Sequence, residues 1–269
     1  MTKQIGILGC GWLGLPLAEK LHREGYKVSG TTTSEEKLSL LKEKGINSFK
    51  ISISEDVIYG PISEFLDSIS VLIINIPPGL RGKGLKESYI DKIKLLYTAI
   101  KKSNVSLVIF VSSTAVYGAA EGTVTEQTAP LPTSESGMQL VECENLFRND
   151  QHLKTTIIRF GGLIGPNRHP ITMLSKRENL VGGNAPVNLI HLDDCIGIIK
   201  KILEEDHWNE LLNAVYPEHP TKKKYYTNEA LKRGLTPPIY LSEANQSYKL
   251  ISSCSPFLIN EYSFLTALY

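Results

Sequence analysis

Three glycines near the N-terminus carry the first chemical signal. In GILGCGWLGLPLAEKL, Gly9, Gly11 and Gly14 keep G-x-G-x-x-G spacing, between an apolar run that reads as a strand and a pattern that reads as a helix. The spacing alone is weak, but that strand-to-helix context is the one its mechanism requires. Gly9 permits a tight turn, Gly11 lets the backbone approach a pyrophosphate, and Gly14 lets helix and strand pack closely. Unpaired N–H groups at the helix start then receive the phosphate charge. Pro16, in the first turn, removes a donor that would lack a helical partner. The chemistry expected here is dinucleotide binding, with Gly9, Cys10, Gly11, Trp12, Leu13 and Gly14 against the cofactor.

The second strand of such a site selects the dinucleotide. NAD sites usually end it with a carboxylate that accepts from the ribose hydroxyl. Here the place is GTTTSEE, so Thr31, Thr32 and Thr33 come first and Glu35 falls in the next helix. Three hydroxyls would not repel a 2′-phosphate, and the reading leans to NADP over NAD. Ile76 and Pro77, ending the apolar run VLIINIP, complete the expected cofactor contacts. Cys10 lies inside the loop, where helix N–H groups could activate a thiol for redox sensing.

Other residues suit acid–base work. One Tyr-x-x-x-Lys exists, Tyr97 with Lys101, and residues at i and i+4 share a helical face. That tyrosine lies on the apolar stripe formed with Tyr89, Ile93, Leu96 and Ile100, so core packing is its expected role. His169 titrates near neutrality, and Arg168 beside it could clamp a phosphate or carboxylate with its planar fork. Glu126 reads as a solvated loop carboxylate, and Arg159 as a partner in a structural ion pair. His191, Asp193 and Asp194 stand where a strand meets a helix, and an Asp cap is expected there rather than a metal site. No metal site is expected anywhere else.

These groups need elements to position them. IGIL, YKVSGT, INSFKISI, VLIINIP, LVIFVSS and TTIIRF read as strands, alternating with helical patterns. Near-continuous Val/Ile/Leu strands between helices imply an α/β fold with a doubly wound parallel sheet, of Rossmann type. TSEE, from Thr33 to Glu36, reads as a capping box for the second helix. The four cysteines are scattered with no C-x-x-C, and net charge is +1, which fits a cytoplasmic protein without nucleic-acid or membrane partners.

Later motifs extend the reading. VSSTAVYG (Val111 to Gly118), IIRFGGLIGP (Ile157 to Pro166) and VNLIHLDDCIGII (Val187 to Ile199) together resemble the extended short-chain dehydrogenase/reductases. Those form the NAD-dependent epimerase/dehydratase family, and the chain is similar to its atypical, YeeZ-like branch. The resemblance implies residues 1–160 and 187–208 as the dinucleotide-binding domain, with 161–186 and 209–269 as a small substrate lobe. It places Ser113 at the catalytic Ser/Thr position and Thr114 and Tyr117 beside the substrate. The GPNRHP loop, with Arg168 for binding and His169 as substitute acid or base, would border the cleft.

One departure is sharp. The family's catalytic Tyr-x-x-x-Lys falls on PTSESGMQLVECE, where this chain has Ser136 and Leu140. Neither side chain can run the usual proton relay. The resemblance therefore implies an NAD(P)-dependent oxidoreductase or epimerase acting on a nucleotide sugar or similar polar metabolite through a non-standard site. The alternative is a non-catalytic NADP(H) sensor. A homodimer is the candidate assembly.

Overall fold

The computed structural model describes residues 3–80, 86–242 and 248–268. Seven strands build its main sheet: β1 (Gln4–Leu8), β2 (Lys27–Thr32), β3 (Asn47–Lys50), β4 (Val71–Ile74), β5 (Leu107–Ser113), β6 (Lys154–Phe160) and β7 (Leu211–Ala214). They lie in the order β3-β2-β1-β4-β5-β6-β7, and every neighbouring pair is parallel. The order reverses between β1 and β4. In an open α/β sheet the crevice at such a reversal, beyond the carboxyl ends of the strands, is where ligands bind.

The strand sequences explain the double winding. Successive side chains point to opposite faces, so a strand apolar at every position needs cover on both. Ile5, Ile7, Val71, Ile73, Ile109 and Ile158 join one core, under α1 (Gly14–Arg23), α2 (Glu35–Glu43) and α7 (Leu192–Glu205). Leu8, Leu72, Ile74, Val108, Phe110 and Ile157 join the other, under α3 (Ile62–Asp67), α4 (Tyr89–Ile100) and α5 (Glu135–Arg148).

The lobe has its own small core. Ile164, Ile171, Val187, Leu189, Tyr225, Tyr226 and Tyr240 meet around α6 (Ile171–Leu174) and α8 (Lys222–Lys232). Gly162–Ile164 pairs in parallel with Leu189–His191 beneath them.

Three expectations change. Residues 209–269 do not form one lobe: Leu211–Ala214 is the edge strand β7, and Phe257, Leu258 and Tyr262 pack in the core beneath α7. The tail is drawn there by Asp194, whose buried carboxylate accepts from the Tyr262 hydroxyl at 3.0 Å, the Leu265 N–H at 2.6 Å and the Thr266 hydroxyl. The cap of α2 is Ser34, one residue later than expected, accepting from the Lys37 N–H. The cap of α7 is the His191 ring rather than an Asp, with Nδ1 accepting from the Asp193 N–H at 3.2 Å.

Candidate cofactor and substrate groove

The glycine loop joins β1 to α1 and is fastened from both sides. The Gly9 N–H donates to Thr31 Oγ1 at 3.0 Å, the Cys10 N–H donates to the Thr31 carbonyl at 2.9 Å, and Asn75 Nδ2 donates to the Gly9 carbonyl at 3.0 Å. Each glycine answers a different need. Gly9 takes φ +102°, a left-handed turn that other residues resist. A methyl on Gly14 would lie 2.2 Å from the Gly9 carbonyl oxygen, so the helix and loop close together only because it is absent.

Gly11 differs from both. A Cβ there would meet nothing within 4 Å, and its φ is not positive. Nothing inside the protein asks for glycine at this position, whereas a ligand lying against the backbone would. Among the described residues, the neighbouring Trp12 and Leu13 N–H groups find no acceptor. Two free donors and an open glycine thus stand at the start of α1, the arrangement that receives a phosphate.

The threonines and the cysteine turn inward instead. The Thr31 hydroxyl is taken by Gly9, the Thr32 hydroxyl accepts from the Ser34 N–H at 3.2 Å, and only Thr33 is exposed. Cys10 is buried, and its N–H is spent on Thr31. Burial pushes its thiol up to about 12, which leaves no activated thiol for redox sensing.

From the loop a groove of about 480 Å³ runs past Asn75–Leu80 to the end of β5. Ile76 and Pro77 line it, as do Val111, Ser112, Ser113, Ser136, Leu140 and Leu163, while Arg168 lines it beside the glycine loop. Ser113 Oγ accepts from the Ala115 N–H at 3.1 Å, which leaves its own proton free to donate into the groove. Thr114, half-buried, opens the single helical turn that follows. Ser136 and Leu140 face the same space from α5, one turn apart. Arg168 is the one ionisable side chain among the described residues lining it.

Behind this wall lies a buried polar network. Glu144, one further turn along α5, holds Arg159 through Nε at 3.0 Å and Nη2 at 2.5 Å, and accepts from the Ser112 hydroxyl at 2.6 Å. The structural ion pair expected of Arg159 is this one. Its remaining nitrogen, Nη1, reaches the Tyr117 hydroxyl at 2.7 Å. Tyr117 is fully buried, with that hydroxyl also shared by Asn213 and the Thr125 carbonyl. It therefore supports the β5 end from within and does not reach substrate, contrary to expectation.

His169 also moves away from catalysis. Its ring is buried in the lobe, where Nδ1 accepts from the Ile171 N–H at 3.1 Å and Nε2 lies 3.0 Å from the Tyr225 hydroxyl. Burial, with Arg233 nearby, lowers its pKa to about 4 against the pull of Glu229. A neutral ring with both nitrogens engaged is a structural joint, so His169 is not the replacement acid or base. Arg168 points the other way, its guanidinium 4.8 Å over the Trp12 ring.

Two other groups are accounted for. Glu126 is half-buried and outside the groove, accepting from the Asn213 and Cys254 N–H groups and the Ser253 hydroxyl. Tyr97 and Lys101 both bind Asp150, at 2.5 and 2.8 Å, between α4 and the end of α5. Away from the groove, Glu205, His207 and Glu261 bring ligand-type atoms within 4.8 Å of one another, and Lys201 already pairs with Glu205.

Comparison with known proteins fits this geometry. A model of the NAD binding domain of 6-phosphogluconate dehydrogenase matches residues 4–125, and one of the NAD dependent epimerase/dehydratase family matches residues 85–213. Protein YeeZ of Escherichia coli K12 is 34% identical over 239 residues, 88% of this chain and 86% of its own. The chain belongs to the NAD-dependent epimerase/dehydratase family, in its YeeZ-like branch. An uncharacterized UDP-glucose epimerase of Bacillus subtilis, YtcB, is 22% identical over 58% of this chain and 55% of its own. Among solved structures, UDP-glucuronic acid 4-epimerase of Bacillus cereus with NAD superimposes with TM-score 0.79 at 21% identity, over 98% of this chain and 92% of that one. MoeE5 with UDP-glucuronic acid and NAD gives 0.79 at 20%, over 98% and 95%. At that identity the structures establish the shared fold.

Within this YeeZ-like chain, the sequence assigns no role to Asn75, Ser112 or Glu144. Glu144 had a legible signal, because it stands eight residues after Ser136 and so continues the same helical face.

Proposed function

We propose that this protein is an NAD(P)-dependent enzyme that acts on a nucleotide sugar or a similarly polar metabolite, with Ser113 in place of a full proton relay. The observation that carries the reading is Gly11, whose missing side chain leaves open space beside two free N–H groups at the start of α1. A bound nicotinamide would supply hydride transfer. The chain's own residues do the rest: the Trp12 and Leu13 N–H groups hold the pyrophosphate, and Ile76 and Pro77 line the groove beside the cofactor. The Ser113 hydroxyl donates to a substrate oxygen, and Ser136 offers a second hydroxyl across the groove.

NAD is the better-supported cofactor. Thr31 and Thr32 are buried and their hydroxyls accept from the Gly9 and Ser34 N–H groups, so they offer a 2′-phosphate no exposed partner. Both family models are named for NAD, and the epimerase neighbours carry it.

A second reading has its own observation. Apart from Arg168, no described residue lining the groove is ionisable, as suits a module that binds NAD(P)(H) and turns nothing over. Titration with NADH and NADPH, followed by product analysis on UDP-sugars, separates the two. Saturable binding with sugar conversion is expected. Binding that discriminates oxidised from reduced cofactor, with no conversion, would leave the sensor; no binding would remove both.

A further inference from the structure

The loop expected to meet substrate is fastened to the glycine loop instead. Gly165 and Arg168 exchange backbone hydrogen bonds at 2.9 and 3.1 Å, closing a tight turn with Asn167 at φ +56°. Trp12 Nε1 donates to the Pro166 carbonyl at 3.0 Å. A Cβ on Gly165 would stand 3.1 Å from the Trp12 ring and 3.0 Å from Leu192, and its φ of +153° again suits glycine. The indole is thus held against the turn by its edge and packed against Gly165.

Arg168 then covers that indole. Its guanidinium sits 4.8 Å over the Trp12 ring, a contact that favours a cation and fixes the plane of the fork. Arg168 makes no ion pair with any described residue, although the surface carries many Lys–Glu and Arg–Glu pairs. A pre-oriented guanidinium without a counter-ion, in one groove with the free Trp12 and Leu13 N–H groups, is half of an anion site whose other half is the start of α1.

We infer that Arg168, braced on Trp12, anchors the diphosphate of the bound dinucleotide from the lobe side of the groove. This inference rests on the cofactor reading above. It reassigns Arg168 from the substrate to the cofactor, because the residue that orients its guanidinium belongs to the glycine loop itself. The diphosphate is then held from two sides, by backbone N–H groups on the sheet side and by a planar cation on the other. Cofactor release requires that stack to open.

A diphosphate could also come from a nucleotide-sugar substrate, and the test separates the two sources. Arg168→Gln suits the purpose because Arg168 is exposed, and a thermal melt matching wild type checks the fold. NADH affinity is read by nicotinamide fluorescence, ADP-ribose and UDP affinity by calorimetry, and NADH release by stopped flow. Loss of one charge-assisted contact predicts weakening of roughly tenfold or more for NADH and ADP-ribose, with faster release. Arg168→Lys should recover part of it, since the charge stays and the fork is lost. UDP affinity should be unchanged. NADH and ADP-ribose binding equal to wild type would overturn the inference and leave the cofactor reading intact, as would a loss confined to UDP. A wild-type protein that binds neither NAD(H) nor ADP-ribose would end both.

Discussion

Leu140 lies one turn beyond Ser136 on α5, and both line the groove that Ser113 enters from β5. On the proposed reading, this is the face on which the family's tyrosine and lysine would stand, and Ser136 and Leu140 occupy it here.

Restoring the pair should restore the relay. Ser136→Tyr with Leu140→Lys is expected to raise turnover of an accepted UDP-sugar by about 100-fold or more, the usual scale of positioned acid–base catalysis. Leu140→Lys alone should lower stability, because that position is 4% exposed and Glu144, one turn along α5, is already bound to Arg159. Initial rates and urea melts of the three variants decide it. A double variant that folds and gains nothing would show that the proton arrives from elsewhere.

The glycines should separate binding from stability. Gly14→Ala drives a methyl to 2.2 Å from a backbone carbonyl and should cost about 1–3 kcal/mol in a urea melt. Gly11→Ala meets no protein atom and should melt within about 0.5 kcal/mol of wild type. Its NADH affinity should nevertheless fall roughly tenfold or more, because the methyl enters the phosphate space. Unchanged affinity in Gly11→Ala would remove the main support for the cofactor site.

Acid should find His169. Its folded pKa of about 4 lies below the ordinary histidine value near 6.5, so the unfolded chain takes the proton first. The stabilisation is complete above about pH 6.5 and is lost as pH falls through 4, on the order of 3–4 kcal/mol in all. His169→Gln should flatten that slope in urea melts across the window and lower stability at pH 7, where its bonds to Tyr225 and Ile171 are broken. Turnover should change little. A variant that melts like wild type and has lost activity would return His169 to catalysis.

The strands and the glycine loop were legible because their signals are local. VLII and LVIFVSS are apolar at nearly every position, and G-x-G-x-x-G carries its strand and helix with it. What escaped was long-range. Asp194 accepts from Tyr262, 68 residues later, and that contact holds the tail under α7 before Leu268 rejoins the lobe core. Trp12 meets Pro166 across 154 residues, and nothing in either segment names the other. His169 was misread for the same reason, since residue type marks a titrating group while only packing shows whether it is free. Tyr97 packs against the second core as its apolar stripe implies, because that stripe is itself local.

The buried Glu144–Arg159 pair ties α5 to the ends of β5 and β6 behind the groove, and its loss should be costly. Both side chains are 2% exposed, Glu144 also takes the Ser112 hydroxyl, and Arg159 also holds Tyr117. Removing one partner strands the other charge in the core. Glu144→Ala should therefore destabilise by about 3–5 kcal/mol in urea, more than any substitution in the groove itself. Replacing both, as Glu144→Leu with Arg159→Met, should cost clearly less than that single change, because no unpaired charge remains. The double variant still loses the hydrogen bonds to Ser112 and Tyr117, so the end of β5 loosens and turnover should fall even where the fold is retained. A Glu144→Ala protein as stable as wild type would mean that the pair is not needed to hold α5 against the sheet.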